Sequence, residues 1–262
     1  MTDAPRLTIA IDAGVADVRL NRASKMNALD PAMFAALTDA IDRLADDRTV
    51  RVVVLSGEGA AFCAGLDMAS MASAGAGVDL TARTHGLAND FQQIAWGWRT
   101  LGVPVIAAVH GIAFGGGLQV MSGADITLVH PDTRLSVMEI KWGIVPDMAG
   151  FALWRGRVRD DALRELAYTA REFSGAEAVA LGFAVRTATD PHAEAMALAR
   201  AISARNPHAI RAIKRLANDA IEADAADILM EESVEQAALL RSPNQMEAVM
   251  ANMQKRAAVF TD

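Results

Sequence analysis

The spacing of apolar positions changes along the chain, and each change marks an element. Leu7, Ile9 and Ile11 alternate with polar residues, Asp12-Ala13-Gly14 supplies turn chemistry, and Val18 and Leu20 resume the alternation, which predicts a β-hairpin. Asp30-Pro31 reads as an N-cap followed by proline at the first helical position, and Phe34, Leu37, Ile41 and Leu44 follow at helical spacing. Residues 50–55 (VRVVVL) and 104–109 (PVIAAV) are short, β-branched runs of the kind buried on both faces of a sheet. Between them, residues 70–77 (SMASAGAG) are small and polar enough for a loop, and residues 80–100 read as a helix. Short strands are predicted at 125–129 and 135–137, and helix after 147. Ser174 and Glu177 have capping-box spacing, and Asp190-Pro191 and Asn206-Pro207 each read as a helix start. The first two thirds thus alternate strand and helix, and the rest is Ala-rich and helical. The pattern is α/β, with a core over 1–190 and a helical C-terminal region over 191–262.

Composition narrows the function classes. At 262 residues the chain fits one large domain or one domain with an appendage. Lys and Arg number 25 against 32 Asp and Glu, a net charge of −7 that disfavours nucleic-acid and anionic-membrane partners. The single cysteine, Cys63, excludes an intrachain disulfide and a Cys-based zinc site. The five histidines lie far apart without metal-ligand spacing, so no metal is expected. The first residues lack the basic and apolar segments of a signal peptide, and no apolar run is long enough to span a membrane. A soluble, cytoplasmic protein is expected.

Several enzyme signatures are missing. There is no G-x-S-x-G elbow and no Walker-type phosphate loop, and Gly115-Gly116-Gly117 does not fit the G-x-G-x-x-G dinucleotide fingerprint. Two glycine-bearing segments remain. FCAGLD at 62–67 follows a buried strand, and it either brings a ligand close to the backbone or is simply a tight turn. GIAFGGGLQ at 111–119 joins a strand to a short helical run, and it either presents unpaired N–H groups or lets strand and helix cross closely. Two such backbone sites in one domain suggest an oxyanion hole, and without a catalytic serine or cysteine pair the oxyanion is better read as an enolate. Cys63 reads as a buried structural thiol. Glu139, inside the apolar VMEI, is a carboxylate whose pKa burial would raise toward acid/base use, unless it lies exposed at a strand end. Asp147 is either a second carboxylate or a helix N-cap.

Taken in order, LNRASKMNAL at 20–29, AFCAGLDM at 61–68, PVIAAVHGIAFGGGLQ at 104–119, SVMEIKWGIVPDMAG at 136–150 and EAVMANMQKRAAVF at 247–260 resemble the enoyl-CoA hydratase/isomerase (crotonase) superfamily across almost the whole chain. The resemblance implies a spiral of ββα units with a C-terminal helical region, assembled as a homotrimer or homohexamer. It implies an acyl-CoA substrate whose coenzyme A is part of the substrate, with no separate cofactor. It places the backbone N–H groups of Ala64 and Gly116 in the oxyanion hole and Glu139 as acid/base. It also implies CoA contacts from Leu66, Asp67 and Met68, and from the basic pair Lys255 and Arg256, which in relatives sometimes reach a neighbouring subunit. Hydratases of the family commonly carry a first glutamate where this chain has Gln119, and glutamine cannot take a proton from water near neutral pH. Isomerases often use a single carboxylate at the Glu139 position, and dienoyl-CoA isomerases add an aspartate where this chain has Asp147, but they also carry an acidic residue where it has Gln119, so the match to them is partial. The resemblance therefore favours double-bond isomerisation over hydration, with a non-catalytic acyl-CoA binder as a further alternative. Trp96, Trp98 and Trp142 are candidates for an acyl tunnel, although tryptophan in an amphipathic helix is more often core.

Overall fold

The structure is a computed structural model, and it describes residues 4–70 and 79–262. The loop expected at 70–77 therefore lies, apart from Ser70, outside the described residues. The hairpin forms as expected, β1 (Leu7–Asp12) antiparallel to β2 (Val15–Leu20). It edges a six-stranded sheet in the order β1-β2-β3-β4-β6-β9. The other members are β3 (Val52–Gly57), β4 (Val105–Val109), β6 (Ile126–Val129) and β9 (Arg186–Thr187), and every pairing after the hairpin is parallel. A three-stranded sheet, with β7 (Arg134–Ser136) between β5 (Ile112–Phe114) and β8 (Phe173–Ser174), stands beside it.

The continuous apolar runs of β3 and β4 are explained by burial on both faces. Val53, Leu55, Val105, Ala107 and Val109 point into the main core. Their pleat neighbours Val52, Val54, Ile106 and Ala108 pack with Ala195 and Ala199 of helix α7 (Pro191–Ser203). Asp17 of β2 also holds His192 of that helix, Oδ1 to Nε2 at 3.1 Å. A boundary at 190/191 therefore cuts through the core, because α7 covers the second face of the main sheet.

Helix α1 (Pro31–Asp46) buries Met33, Leu37, Ile41 and Leu44 and is capped by Asp30, whose carboxylate accepts the Met33 N–H at 2.9 Å. Helix α2 (Asp90–Thr100) starts ten residues after the expected position, at a reciprocal capping box between Asn89 and Gln92. Local hydrogen bonding in that box, rather than hydrophobic period, sets the start. The following helices are α3 (Gly116–Ser122), α4 (Gly150–Trp154), α5 (Asp160–Thr169), α6 (Gly175–Leu181), α7, α8 (Pro207–Asp219), α9 (Ala225–Leu239) and α10 (Pro243–Gln254). Ser174 caps α6 by accepting the Glu177 N–H, while the Glu177 carboxylate turns to Arg171 instead of closing a capping box. Asp190 and Asn206 cap α7 and α8 as expected.

The helical region is locked to the core by a buried lysine. Lys214 of α8 donates from Nζ to the carbonyls of Trp98 (3.1 Å) and Val103 (2.8 Å), and lies 2.9 Å from Asp125 Oδ2. Burial holds the Lys214 pKa below its ordinary value, against the pull of Asp125. Replacing Lys214 by Met removes the partner of a half-buried carboxylate and two carbonyls. A stability loss of about 3 kcal/mol is expected in urea unfolding, and a loss below about 1 kcal/mol would show that α8 docks by apolar packing instead.

Candidate active site

The site is built where three backbone segments are forced together. Residues 61–63 run beside β5, with the Cys63 N–H donating to the Ile112 carbonyl (3.0 Å) and the Phe114 N–H to the Cys63 carbonyl (3.1 Å). Glycine makes this approach possible. Gly65 has a φ of +90°, and a Cβ there would lie 2.6 Å from the Phe114 carbonyl oxygen. A Cβ on Gly117 would lie 2.3 Å from the Cys63 carbonyl oxygen. The Cys63 thiol is fully buried, and burial pushes it up to about 12, which makes it packing rather than a nucleophile.

The third segment is 22–29. The Asn27 side chain is wholly buried, accepts the Arg22 N–H at 2.8 Å and donates to the carbonyls of Glu58 (2.9 Å) and Ala61 (2.8 Å). Arg22 bridges Asp30 and Asp67, at 3.3 and 2.8 Å. Leu29 then pairs with the Leu66 segment: its N–H donates to the Gly65 carbonyl (2.8 Å), and its carbonyl accepts the Asp67 N–H (3.0 Å). That pattern turns the Leu66 N–H to the opposite edge, away from Leu29. The Ala64 N–H, in contrast, is spent on the Met26 carbonyl at 2.9 Å. The expectation that Ala64 is a free oxyanion donor is therefore corrected: its hydrogen bond is already made, and Leu66, two residues on, has the outward N–H. Gly116 is the first residue of α3, where an N–H has no partner within the helix.

These segments wall a cavity lined by Ala64, Leu66, Met68, Gly116, Glu139 and Trp142, among others. Glu139 opens a short helical turn, Glu139–Trp142, and is 7% exposed. Its pKa is raised, chiefly by burial, against hydrogen bonds from its own backbone N–H, from Gln119 and from Met138. One oxygen, Oε1, accepts from Gln119 Nε2 at 2.6 Å, while Oε2 is buried without a hydrogen-bond partner. The orientation of the Gln119 amide is fixed by its own oxygen, which accepts the N–H groups of Met148 (2.8 Å) and Gly150 (2.9 Å). The Gln119 oxygen is thus fully used, and Glu139 Oε2 is the one polar side-chain oxygen in the cavity lining left without a partner among the described residues.

Of the remaining expected residues, only Trp142 lines this cavity. Asp67 is tied to Arg22 and accepts the Ser70 N–H at 3.2 Å, so its carboxylate serves the loop. Asp147 is no N-cap: it accepts from Gln92 Nε2 at 2.9 Å and does not line the cavity. Lys255 ends α10 in a left-handed turn, and Arg256 grips Glu247, with Nη2 2.8 Å from Oε2; neither lines the cavity within this chain. Trp98 is core, Trp142 is 58% exposed at the cavity, and Trp96 faces a separate groove. Asn27, Arg22, Met148 and Gln92 were not singled out from sequence. Nothing in the periodicity marks them, because each acts through long-range backbone hydrogen bonds or packing.

A profile of the enoyl-CoA hydratase/isomerase family matches residues 10–262. Enoyl-CoA hydratase EchA19 of Mycobacterium tuberculosis is 33% identical over 201 residues, covering 76% of this chain and 74% of the relative. A peroxisomal Delta(3,5)-Delta(2,4)-dienoyl-CoA isomerase of Arabidopsis thaliana is 29% identical over 259 residues, covering 95% and 93%. Among solved structures, an enoyl-CoA hydratase of Mycobacterium smegmatis superposes with a TM-score of 0.84 at 32% identity, covering 97% of this chain and 98% of the other. One of Mycobacterium tuberculosis gives 0.87 at 27% identity, covering 98% and 99%. The crotonase fold is shared from end to end, and the chain belongs to the enoyl-CoA hydratase/isomerase family.

Proposed function

We propose that this chain moves a double bond in an unsaturated acyl-CoA, with Glu139 as the sole proton shuttle. The observation that carries this reading is an amide, Gln119, with its oxygen fully used, beside Glu139. A carboxamide cannot take a proton from water near neutral pH, and its oxygen, which already accepts two backbone N–H groups, is not free to orient a water either. Water addition needs a group to activate the water and a source for the carbon-bound proton. Among the described residues only one carboxylate oxygen beside the cavity, Glu139 Oε2, is placed for either task.

In the proposed reaction the thioester oxygen lies between the Leu66 and Gly116 N–H groups. Glu139 Oε2 removes a proton from the carbon next to the carbonyl of a 3-enoyl-CoA. The C–H electron pair becomes the enolate double bond, and the carbonyl π pair moves to the oxygen, where the two donors stabilise it. The pairs then return in the other direction, and Glu139 delivers its proton to the far carbon of the allylic system. A carboxyl raised by burial suits this exchange, since its affinity for the proton approaches that of the carbon acid. Leu66 and Met68 border the cavity on the side we assign to the CoA moiety, and Trp142 is placed to pack on the acyl group.

Hydration is the second reading, and the relatives named enoyl-CoA hydratases are what favour it. One assay separates the two. Incubation in deuterated water with 2-enoyl-, 3-enoyl- and 3,5-dienoyl-CoA esters is expected to give an isomer of unchanged carbon skeleton. Glu139→Gln should lower turnover by roughly 10²–10⁴-fold, with acyl-CoA affinity kept. A product heavier by one heavy water would establish hydration in place of isomerisation.

A second prediction follows from the Gln119–Glu139 bond. Donation by Gln119 favours the charged carboxylate, so Gln119→Leu removes a pKa-lowering contact. The acid limb of the kcat/KM profile, which reports Glu139 becoming the base, should move to higher pH. An unmoved limb would mean that Glu139 is not the titrating base.

Assembly belongs to the same reading. Among the described residues helix α9 buries none of its own side chains, and Leu229, Met230 and Val234 stand exposed on it. We assign this face to a homotrimer or homohexamer, in which Lys255 and Arg256 would meet the CoA of a neighbouring copy. Light scattering at micromolar concentration should give a trimer or hexamer, and a monomer would overturn the assignment.

A further inference from the structure

The turn at 147–150 is held from two sides. On the inside, Gln119 Oε1 accepts the N–H groups of Met148 (2.8 Å) and Gly150 (2.9 Å). On the outside, Asp147 Oδ1 accepts from Gln92 Nε2 at 2.9 Å. Asp147 is half-buried, and Gln92 is the side chain that meets it. Arg83 and Glu222 line the hollow beside Gln92, and both are committed elsewhere: Arg83 donates to the carbonyls of Leu80 and Ala82, and Glu222 is held by Arg155.

The turn does not keep its shape by local preference. Ala149 sits in the left-handed region at a φ of +68°, where a residue with a Cβ is strained. It leads into α4 without a side-chain cap of its own. A Cβ on Gly150 would lie 2.8 Å from Gln119 Oε1, so the N–H reaches that oxygen only because the residue is bare. Gln92, in contrast, is fixed. Its Oε1 accepts the Asn89 N–H at 3.1 Å, which closes the capping box of α2 and leaves Nε2 for Asp147. Buried Ile94, Ala95 and Trp98 seat that helix in the core. One line of hydrogen bonds thus runs from a seated helix to a strained turn, from the turn to Gln119, and from Gln119 Nε2 to Glu139 Oε1 at 2.6 Å.

We propose that Gln92 is a positioning residue for the proton shuttle: through Asp147 it clamps the 147–150 turn onto Gln119 and so keeps the Gln119 amide aimed at Glu139. Its effect on turnover rests on the Glu139 reading above, whereas the clamp itself is a property of the ligand-free protein. When the clamp opens, Ala149 relaxes, the Gln119 oxygen loses its two donors, and the amide turns away from Glu139. Among the described residues Gln119 gives Glu139 its one side-chain hydrogen bond, and that bond favours the charged carboxylate. Without it burial is less opposed, and Glu139 holds its proton to higher pH.

The test is a carbon-13 NMR titration of the Glu139 carboxyl in glutamate-labelled protein, the resonance assigned by its loss in Glu139→Gln, together with kcat and KM for a 3-enoyl-CoA. Gln92→Glu keeps an oxygen for the Asn89 N–H, has no hydrogen for Asp147 and sets a carboxylate against it. Gln92→Met breaks the same bond with no change of charge. Both should raise the Glu139 midpoint by about 0.5 pH unit. Both should lower kcat about tenfold with KM within about twofold. In the double variant Gln92→Glu/Asp147→Asn the bond runs the other way, from the new amide to the new carboxylate, and midpoint and kcat should return close to wild type. A midpoint unmoved in Gln92→Met would mean that added charge, not the lost bond, acts in Gln92→Glu. One unmoved in Gln92→Glu would mean that the helix cap is what matters. Either result overturns the proposal, as does a double variant that fails to recover or a kcat that holds while the midpoints move. If the midpoints behave as expected and the wild-type protein isomerises no enoyl ester, the clamp stands and the isomerase reading falls.

Discussion

The Gln119 amide ties together parts of the chain that are otherwise independent. Its oxygen gathers the backbone of 148–150 and its nitrogen steers Glu139, while α3 carries it out of the glycine turn at 115–117. Because a primary amide has two donor hydrogens and one acceptor oxygen, the two backbone N–H groups leave it only one way round. Glu139 is then held by one oxygen and left free at the other. A glutamate in place of Gln119 would accept the same two N–H groups but face Glu139 as a like charge at hydrogen-bond distance, and the two carboxyls would have to share a proton. Amide and acid therefore suit different chemistries from nearly the same backbone. A single-carboxylate shuttle is consistent with the amide.

The second constraint is the close approach of three backbones with almost no side chain between them. Gly65 and Gly117 let 61–66 and the β5–α3 turn meet at carbonyl-contact distances. That leaves no room for side-chain donors, so charge stabilisation at this spot has to come from N–H groups. Which N–H groups are free is decided by a third party, segment 22–29. Asn27 and Arg22 hold that segment in register, the Met26 carbonyl takes the Ala64 N–H, and the bridge to Leu29 leaves Leu66 facing outward.

Legibility in the sequence follows this division. The hairpin, the two buried strands and the capped helices were readable because each depends on local period or on side-chain caps within a few residues. The start of α2 was misplaced because an apolar rhythm continues through 80–89, while the Asn89–Gln92 box sets the boundary by local hydrogen bonding. The site was legible in part. Glu139 and the two glycine segments stand out as residues, and the cavity brings them together. The identity of the outward N–H was not legible: it turns on which carbonyl lies opposite Ala64, and that is settled by a strand-like contact across some forty residues. The tie from Asp147 to Gln92 is long-range in the same way, which is why an N-cap was the natural reading of IVPD.

Core and helical region divide the work by rigidity. Lys214 and Asp125 fasten α8 next to β4 and the end of α2, and α7 is part of the sheet's own packing, so the helical region is anchored at its base. Beyond that anchor, α9 has apolar side chains that stand exposed among the described residues. The groove that Trp96 faces sits between the two regimes, with one wall from anchored α2 and the other from α8 and α9. Its shape depends on how the outer helices are held, whereas the geometry of Glu139, Gln119 and the glycine turn does not.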